Sequence, residues 1–112
     1  MTRDVLAFPK PVRMEDAEYR RFIRRQPCVI CGAASEHAHI VPQGWGKTGS
    51  KVSDYRGVPL CRNHHQGNPR SYHRIGRYRF EAEHHVDLDL VQLQYLETYI
   101  SALKDGEDLG AK

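Results

Sequence analysis

Long apolar runs are absent from this sequence. No stretch approaches the roughly 20 consecutive apolar residues that cross a bilayer, and the opening segment MTRDVLAFPKPVR lacks the apolar core and cleavage site of a signal peptide. Only 39% of the 112 residues are apolar and 28% are charged, so the chain can build one modest core. We therefore expect a single cytoplasmic domain that needs a metal or crosslinks for stability.

Cysteines are few, and their number is odd. Three of them cannot all pair in disulfides. Cys28 and Cys31 form a Cys-x-x-Cys turn, and Cys61 and His64 repeat that separation after 29 intervening residues. Two such pairs predict one tetrahedral structural zinc that ties an early turn to the middle of the chain, as in a treble clef. The alternative is a redox-active Cys-x-x-Cys beside an unrelated buried Cys61.

Charge is distributed unevenly along the chain. Residues 43–80 carry eight basic residues against one acidic residue, a net charge of +7, whereas residues 81–112 carry a net charge of −6. A dense basic segment beside metal ligands indicates a polyanionic partner whose phosphates the basic side chains contact. The alternative is an ordinary solvated surface.

Hydrophobic periodicity predicts an α+β fold. One domain over residues 15–104 lies between an N-terminal arm (1–14) and an acidic flexible tail (105–112). The predicted elements are a helix over 15–25, strands over 38–41 and 55–60, a brief helix from Cys61, a helix over about 71–83, and a last helix capped by Asp87 or Asp89 and ending near Lys104.

The last helix carries an apolar stripe of Leu93, Leu96, Ile100 and Leu103. We expect this stripe to pack on the domain. Its alternative role is the seam of a homodimer.

Histidines are numerous, with seven in the chain. Adjacent side chains on a helix diverge by about 100°, so His64 can face the zinc while His65 points into another pocket. His39 and His73 converge with His65 if the hairpin packs across the helix, which places three imidazoles in one basic cleft. We expect three others to be ordinary surface or hydrogen-bonded histidines: His37, His84 and His85.

Two segments resemble the HNH endonucleases of the ββα-metal class. They are AHIVPQGWG (38–46) and KVSDYRGVPLCRNHHQG (51–67), with His-x-x-Pro, Leu-Cys-x-x-His-His and a basic glycine loop as the most specific features. The resemblance covers about residues 27–87 and is strongest to phage and prophage recombination-associated nucleases with a structural zinc. It implies a ββα-metal core with flanking N-terminal and C-terminal helices.

The same resemblance implies a role for four residues. His39 is the general base, Asp54 takes the central Asn or Asp position, His65 is the closing histidine, and His73 is a further metal ligand. Ala38 stands where many of these nucleases carry a metal-binding Asp or His. A catalytic divalent ion then rests on His65 and His73, or His37 substitutes from the same strand face as His39, or activity is impaired. Asp54 has an alternative role as a turn cap.

The implied activity is metal-dependent hydrolysis of DNA phosphodiester bonds. Neutral His39 takes a proton from water, and Mg²⁺, Mn²⁺, Ni²⁺ or Zn²⁺ stabilises the leaving oxygen. Trp45 either stacks on DNA or covers the core. The alternatives are a zinc-dependent DNA-binding module with a degenerate HNH site, and a zinc module that binds protein. We expect no membrane partner and no small-molecule cofactor. The expected phosphate contacts are Lys47, Lys51, Arg62, Arg74 and Arg77.

Overall fold

The computed structural model describes residues 14–40 and 52–106. Within those ranges it contains four α-helices and one two-stranded antiparallel sheet, which confirms the predicted α+β class. The elements in chain order are α1 (Ala17–Arg24), β1 (Glu36–His39), a 3₁₀ turn (Asp54–Arg56), β2 (Gly57–Leu60), a π-helical turn (Asn63–Gly67), α2 (Tyr72–Ile75), α3 (Arg77–His84) and α4 (Leu88–Lys104). Most of the predicted arm (1–13), the glycine loop (41–51) and most of the predicted tail (107–112) lie outside the described residues.

α1 confirms the helix predicted before the first cysteine. The Asp16 carboxylate caps it by accepting a hydrogen bond from the backbone N–H of Tyr19 at 3.0 Å. Pro27 follows shortly after the helix ends, at a position where proline opposes further helix. Tyr19, Phe22 and Ile23 are buried on one face, as their spacing predicts.

The side chains of the histidine-rich strand β1 point to two opposite faces of the hairpin. Glu36 lies opposite Leu60 and His39 lies opposite Gly57 in the antiparallel register. Since alternate residues of a strand face opposite sides, Glu36 and Ala38 share one face while His37 and His39 share the other. β1 begins two residues earlier than predicted, because backbone groups form the ladder and the polar side chains at its start do not prevent pairing.

Two other boundaries differ from prediction because local hydrogen bonds override the apolar pattern. Tyr55 begins no strand: its backbone N–H donates to the Ser53 hydroxyl at 3.2 Å and the chain forms the 3₁₀ turn. The single helix predicted over 71–83 is two helices. Gly76, at φ 85°, ends the first by donating its N–H to the Tyr72 carbonyl at 3.0 Å.

Two apolar clusters cover the two sides of the hairpin. The first packs Ala38, Val58 and Leu60 against Phe80 and Leu88, and it includes two of the cysteines. The second joins α1 to α4 through three aromatic rings and one aliphatic side chain: Tyr19, Phe22, Tyr99 and Ile23. The sheet is thereby fixed between the helices that precede and follow it.

α4 begins at the Asp87 cap, whose carboxylate accepts from the Leu90 N–H at 3.2 Å. The face that it buries matches the predicted stripe only at Leu96. Ile100 is 43% exposed and Leu93 is 47% exposed, while Tyr99 packs edge-on against Tyr19 with 5.0 Å between ring centroids. Aromatic partners on α1 select Tyr99, roughly 100° around the helix from Ile100.

In the expected stripe Leu103 is also exposed and Leu96 is partly buried, and the homodimer seam stays a prediction. Across residues 14–40 and 52–106, no helix combines the length and apolar character that crossing a bilayer requires.

Candidate active site and metal centre

Cys28, Cys31, Cys61 and His64 form one compact cluster, as their spacing predicts. Their ligand atoms all lie within 4.8 Å of one another. The Sγ atoms of Cys31 and Cys61 are 3.7 Å apart, and Nδ1 of His64 lies 3.2 Å from Sγ of Cys61 and 3.7 Å from Sγ of Cys28. A tetrahedral zinc with bonds of about 2.3 Å to sulfur and 2.0 Å to nitrogen gives edges of about 3.5 to 3.8 Å. The four residues therefore fit a structural zinc.

Local backbone geometry prepares this cluster for a cation. The Cys28–Cys31 turn closes through the Gly32 N–H, which donates to the Cys28 carbonyl at 2.8 Å. Burial acts to raise the pKa of Cys28, but hydrogen bonds from backbone N–H groups, with that of Cys61 the largest, hold the pKa below its usual value. Burial and the adjacent His84 lower the pKa of His64, which favours the neutral ring that binds metals.

Cys61 lies in the same cluster as the Cys-x-x-Cys pair. This contradicts the alternative in which Cys61 is unrelated to that pair. All three cysteines are free thiols in the structure.

A second constellation surrounds Asp54 on the α1 side of the hairpin. His39 Nε2 lies 2.9 Å from Asp54 Oδ1, and the other carboxylate oxygen accepts from the Asp16 N–H at 2.8 Å and from the Arg20 guanidinium. Asp54 is 4% exposed, whereas the His39 side chain is 44% exposed. Because the carboxylate only accepts, Nε2 of a neutral His39 carries the proton and Nδ1 keeps a lone pair.

Burial acts to raise the pKa of Asp54, but the donors around the carboxylate hold that pKa below its usual value. They are the Asp16 N–H, His39 and Arg20. The Asp54 side chain therefore stays ionised and orients His39, a longer-range role than that of a turn cap.

His37 is half-buried beneath His39. Its Nε2 donates to the Asp54 backbone carbonyl at 2.9 Å, and its ring lies edge-on to Tyr19 with 6.3 Å between centroids. The ring occupies space that only glycine leaves open, since a Cβ on Gly57 would lie 1.9 Å from His37 Nε2. Burial lowers the pKa of His37, which keeps the ring neutral.

The ligand atoms of His37, His39 and Asp54 also lie within 4.8 Å of one another. Arg20 already contacts this carboxylate, and Nε2 of each histidine already donates to Asp54. A cation there would face a guanidinium and two N–H groups. The trio is therefore a hydrogen-bonded network around His39, and it gives no support to His37 as a substitute metal ligand.

A third constellation lies where the π-helical turn meets α2. His65 is buried and His73 is exposed, and their Nε2 atoms are 3.1 Å apart. His65 Nδ1 lies 2.8 Å from Glu36 Oε1, and Arg62 contacts the other carboxylate oxygen at 3.2 Å. Burial, with His65 as a second cause, lowers the pKa of His73. The two imidazoles thus present adjacent ring nitrogens.

The three imidazoles predicted to share one cleft belong to two different hydrogen-bonded groups. His39 shares its face of β1 with His37, while Glu36, which contacts His65, is on the other face. In the described part of the chain, the ring nitrogens of His39, His65 and His73 do not form a cluster in which all three lie within 4.8 Å of one another. Ala38, on the same face as Glu36, is fully buried in the core.

The predicted phosphate contacts differ in availability. Arg62 and Arg74 are exposed. Arg77 is only 11% exposed and pairs with Asp89 at 2.7 Å and with Glu81 at 3.3 Å. The break at Gly76 starts a new helix at Arg77, and that side chain joins α3 to α4 through these ion pairs. The remaining two predicted contacts, Lys47 and Lys51, lie outside the described residues, as does Trp45, which is expected to stack on DNA or to cover the core.

Four supporting residues were missed by the sequence analysis: Glu36, Asp16, Arg20 and Gly57. The contacts of the first three with the histidines and Asp54 span 29 to 38 positions, so no local motif reveals them. The only sequence signal is an acidic residue placed directly before the His-x-His strand.

A family model described as "Protein of unknown function (DUF968)" matches residues 2–101. This chain belongs to the DUF968 family. The DUF968 match includes all the cysteines and histidines discussed above.

A curated relative is the "Uncharacterized protein YdfU" of Escherichia coli (strain K12), 38% identical over 61 residues. The aligned region is 54% of this chain and 18% of that protein, so the chain spans less than a fifth of the relative's length. No solved structure matches the chain significantly.

Proposed function

We propose that this DUF968 chain is a metal-dependent endonuclease of the HNH type that hydrolyses phosphodiester bonds of DNA. The observation that carries the proposal is the His39–Asp54 pair. A buried carboxylate, itself fixed by Arg20 and the Asp16 N–H, accepts the Nε2–H of His39 at 2.9 Å. Nδ1 therefore keeps its lone pair on a side chain that is 44% exposed. A general base needs this orientation and an accessible lone pair.

In the proposed reaction, His39 Nδ1 accepts the proton of the water that attacks phosphorus. Asp54 holds the imidazole in the required tautomer and stabilises the imidazolium that forms, as carboxylates do in other histidine-base enzymes. General-base catalysis by a positioned side chain contributes about 100- to 10,000-fold in rate.

His65 and His73 are the residues that would hold the catalytic divalent ion. Their Nε2 atoms face one another at 3.1 Å, close to the separation of about 3.3 Å for two imidazole ligands of one tetrahedral ion. When bound, such an ion supplies charge stabilisation at the leaving oxygen. β1 pairs only with β2 among the described strands. We place the scissile phosphate along the other edge of β1, where it would meet His39 from one face and His65 and His73 from the other.

We further propose that the cysteine-rich cluster holds a structural zinc within a treble clef of ββα-metal type. Two of its cysteines are buried in the core that supports the hairpin. The zinc would thus stabilise the strand that carries His39. Arg62 and Arg74, with Lys47 and Lys51 from the glycine loop, are the proposed phosphate contacts.

Supercoiled plasmid DNA tests this proposal. Zinc-loaded protein with added Mg²⁺, Mn²⁺ or Ni²⁺ is expected to nick or linearise the plasmid. His65→Ala and His73→Ala are expected to abolish cleavage while zinc content stays at one ion per chain. Absence of cleavage with every ion would contradict the proposal.

The second candidate is a zinc-dependent DNA-binding module with a degenerate HNH site. Ala38 favours it, because a buried apolar residue occupies the position that often supplies a metal ligand in the resembled nucleases. This candidate predicts salt-dependent binding of duplex DNA without cleavage. A protein-binding zinc module would show neither property.

A further inference from the structure

Glu36, the first residue of β1, makes a contact that the proposed nuclease mechanism does not yet use. Its Oε1 lies 2.8 Å from Nδ1 of His65, on the side of the ring that faces away from His73. Its other oxygen lies 3.2 Å from the Arg62 guanidinium. Because His65 is buried, this contact restrains a ring that has little freedom to reorient.

The carboxylate determines which nitrogen of His65 carries a proton. An ionised carboxylate only accepts hydrogen bonds, so Nδ1 of a neutral His65 must be the donor. Nε2 of His65 is then a bare lone pair aimed at Nε2 of His73, 3.1 Å away. Two ring nitrogens at that distance are joined either by a proton on His73 or by a cation that both nitrogens bind.

Glu36 is poorly placed to be a ligand itself. It contacts Nδ1, while the nitrogen that faces His73 is on the opposite side of the imidazole. In the described part of the chain, Glu36, His65 and His73 do not form a set of three ligand atoms within 4.8 Å. The geometry is that of a carboxylate behind a metal-binding histidine, an arrangement that fixes the ring and raises its basicity as a ligand.

We propose that Glu36 is a positioning residue for a divalent cation bound by His65 and His73. This inference rests on the proposed nuclease function, because it assigns a support to the metal site of that function. Arg62, expected only as a phosphate contact, gains a second role by fixing the Glu36 carboxylate.

Calorimetric titration of Ni²⁺ into zinc-loaded protein tests the assignment without any cleavage assay. Glu36→Ala is expected to weaken Ni²⁺ binding about 10- to 100-fold, the usual effect of removing such a support. Glu36→Gln keeps an acceptor oxygen for Nδ1–H and is expected to stay near wild type. Glu83→Ala is the matched control, since Glu83 is also a carboxylate paired with an arginine, Arg70, and it is expected to bind normally.

The outcomes separate this inference from the proposed function. If His65→Ala and His73→Ala lose Ni²⁺ binding but Glu36→Ala binds like wild type, the role of Glu36 is overturned and the metal site stands. If the wild-type protein binds no Ni²⁺ beyond the zinc site, the result contradicts both proposals, because each requires a divalent ion on His65 and His73.

A second measurement applies even if Glu36→Ala fails to fold. Nitrogen-15 shifts of the wild-type His65 ring, recorded without added Ni²⁺, are expected to show the proton on Nδ1. A proton on Nε2 would overturn the proposal.

Discussion

Replacing Asp54 by Asn tests how the carboxylate supports both fold and chemistry. All three neighbours of this carboxylate donate to it: the Asp16 N–H, the Arg20 guanidinium and His39 Nε2. An amide offers one oxygen and one NH₂ group, so at least one donor must face another donor.

The expected loss of stability follows from those contacts. A hydrogen bond to a charged group contributes about 1.5 to 3 kcal/mol, and the bond to the partly exposed Arg20 is discounted for solvent screening. The other two hydrogen bonds, from the Asp16 N–H and from His39, are weakened but not abolished. We therefore expect the free energy of unfolding to fall by about 2 to 4 kcal/mol. Urea unfolding of zinc-loaded protein measures this value. Asp89→Asn removes a more exposed carboxylate from an arginine pair and is expected to cost less than about 1 kcal/mol.

Cleavage by the same variant tests the chemistry. If the Asn NH₂ turns toward His39, the ring must present a lone pair at Nε2, and its proton moves to Nδ1, where the base is needed. We expect a rate loss of about 100- to 10,000-fold. An Asp54→Asn protein with wild-type stability and wild-type cleavage would refute the orienting role of Asp54.

Three further predictions concern the zinc, a tyrosine and a glycine. Removing zinc with a chelator is expected to unfold the domain by circular dichroism, because structural zinc contributes about 10 to 16 kcal/mol and a small domain has only about 5 to 15 in total; a folded apo-protein would contradict this. The hydrogen bond to Asp16, with burial, raises the pKa of Tyr55 to about 12, so its neutral hydroxyl stabilises the fold below about pH 10 and that contribution is lost as the pH rises toward 12. An NMR titration should find the Tyr55 pKa nearer 10 in Asp16→Asn, and an unchanged value would refute the bond. Gly57→Ala is expected to displace the His37 ring and lower the unfolding midpoint, since the new Cβ would lie 1.9 Å from Nε2; an unchanged midpoint and His37 spectrum would show that the close approach is absent.

The sequence predicts those features that depend on neighbouring residues. The grouping of the three cysteines with His64 follows from two short spacings, and α1 follows from its cap and its apolar face. The helix break at Gly76 depends on a backbone angle that the 3.6-residue pattern does not report. The buried face of α4 depends on aromatic partners in α1, about 80 positions away in sequence. Contact with these rings buries Tyr99, while most of the aliphatic stripe stays exposed.

The candidate site is predictable only in part for the same reason. His39, Asp54, His65 and His73 are visible as motif positions, but their supports come from distant segments. The contact of Glu36 with His65 depends on the hairpin register, and the contact of Arg20 with Asp54 depends on the placement of α1. That Glu36 and His39 take part in different hydrogen-bonded groups likewise follows from strand alternation, since the two residues lie three positions apart on β1.

The most direct test of the account is the DNA-cleavage rate of His39→Asn in zinc-loaded protein with a saturating divalent ion. His85→Asn is the matched control: His85 is exposed and has a left-handed φ of 53° that asparagine adopts readily. The account predicts that His39→Asn keeps its zinc and its DNA affinity but cleaves at least about 100-fold more slowly, while His85→Asn cleaves like wild type. Equal cleavage by His39→Asn and wild type would contradict the assignment of His39 as the general base.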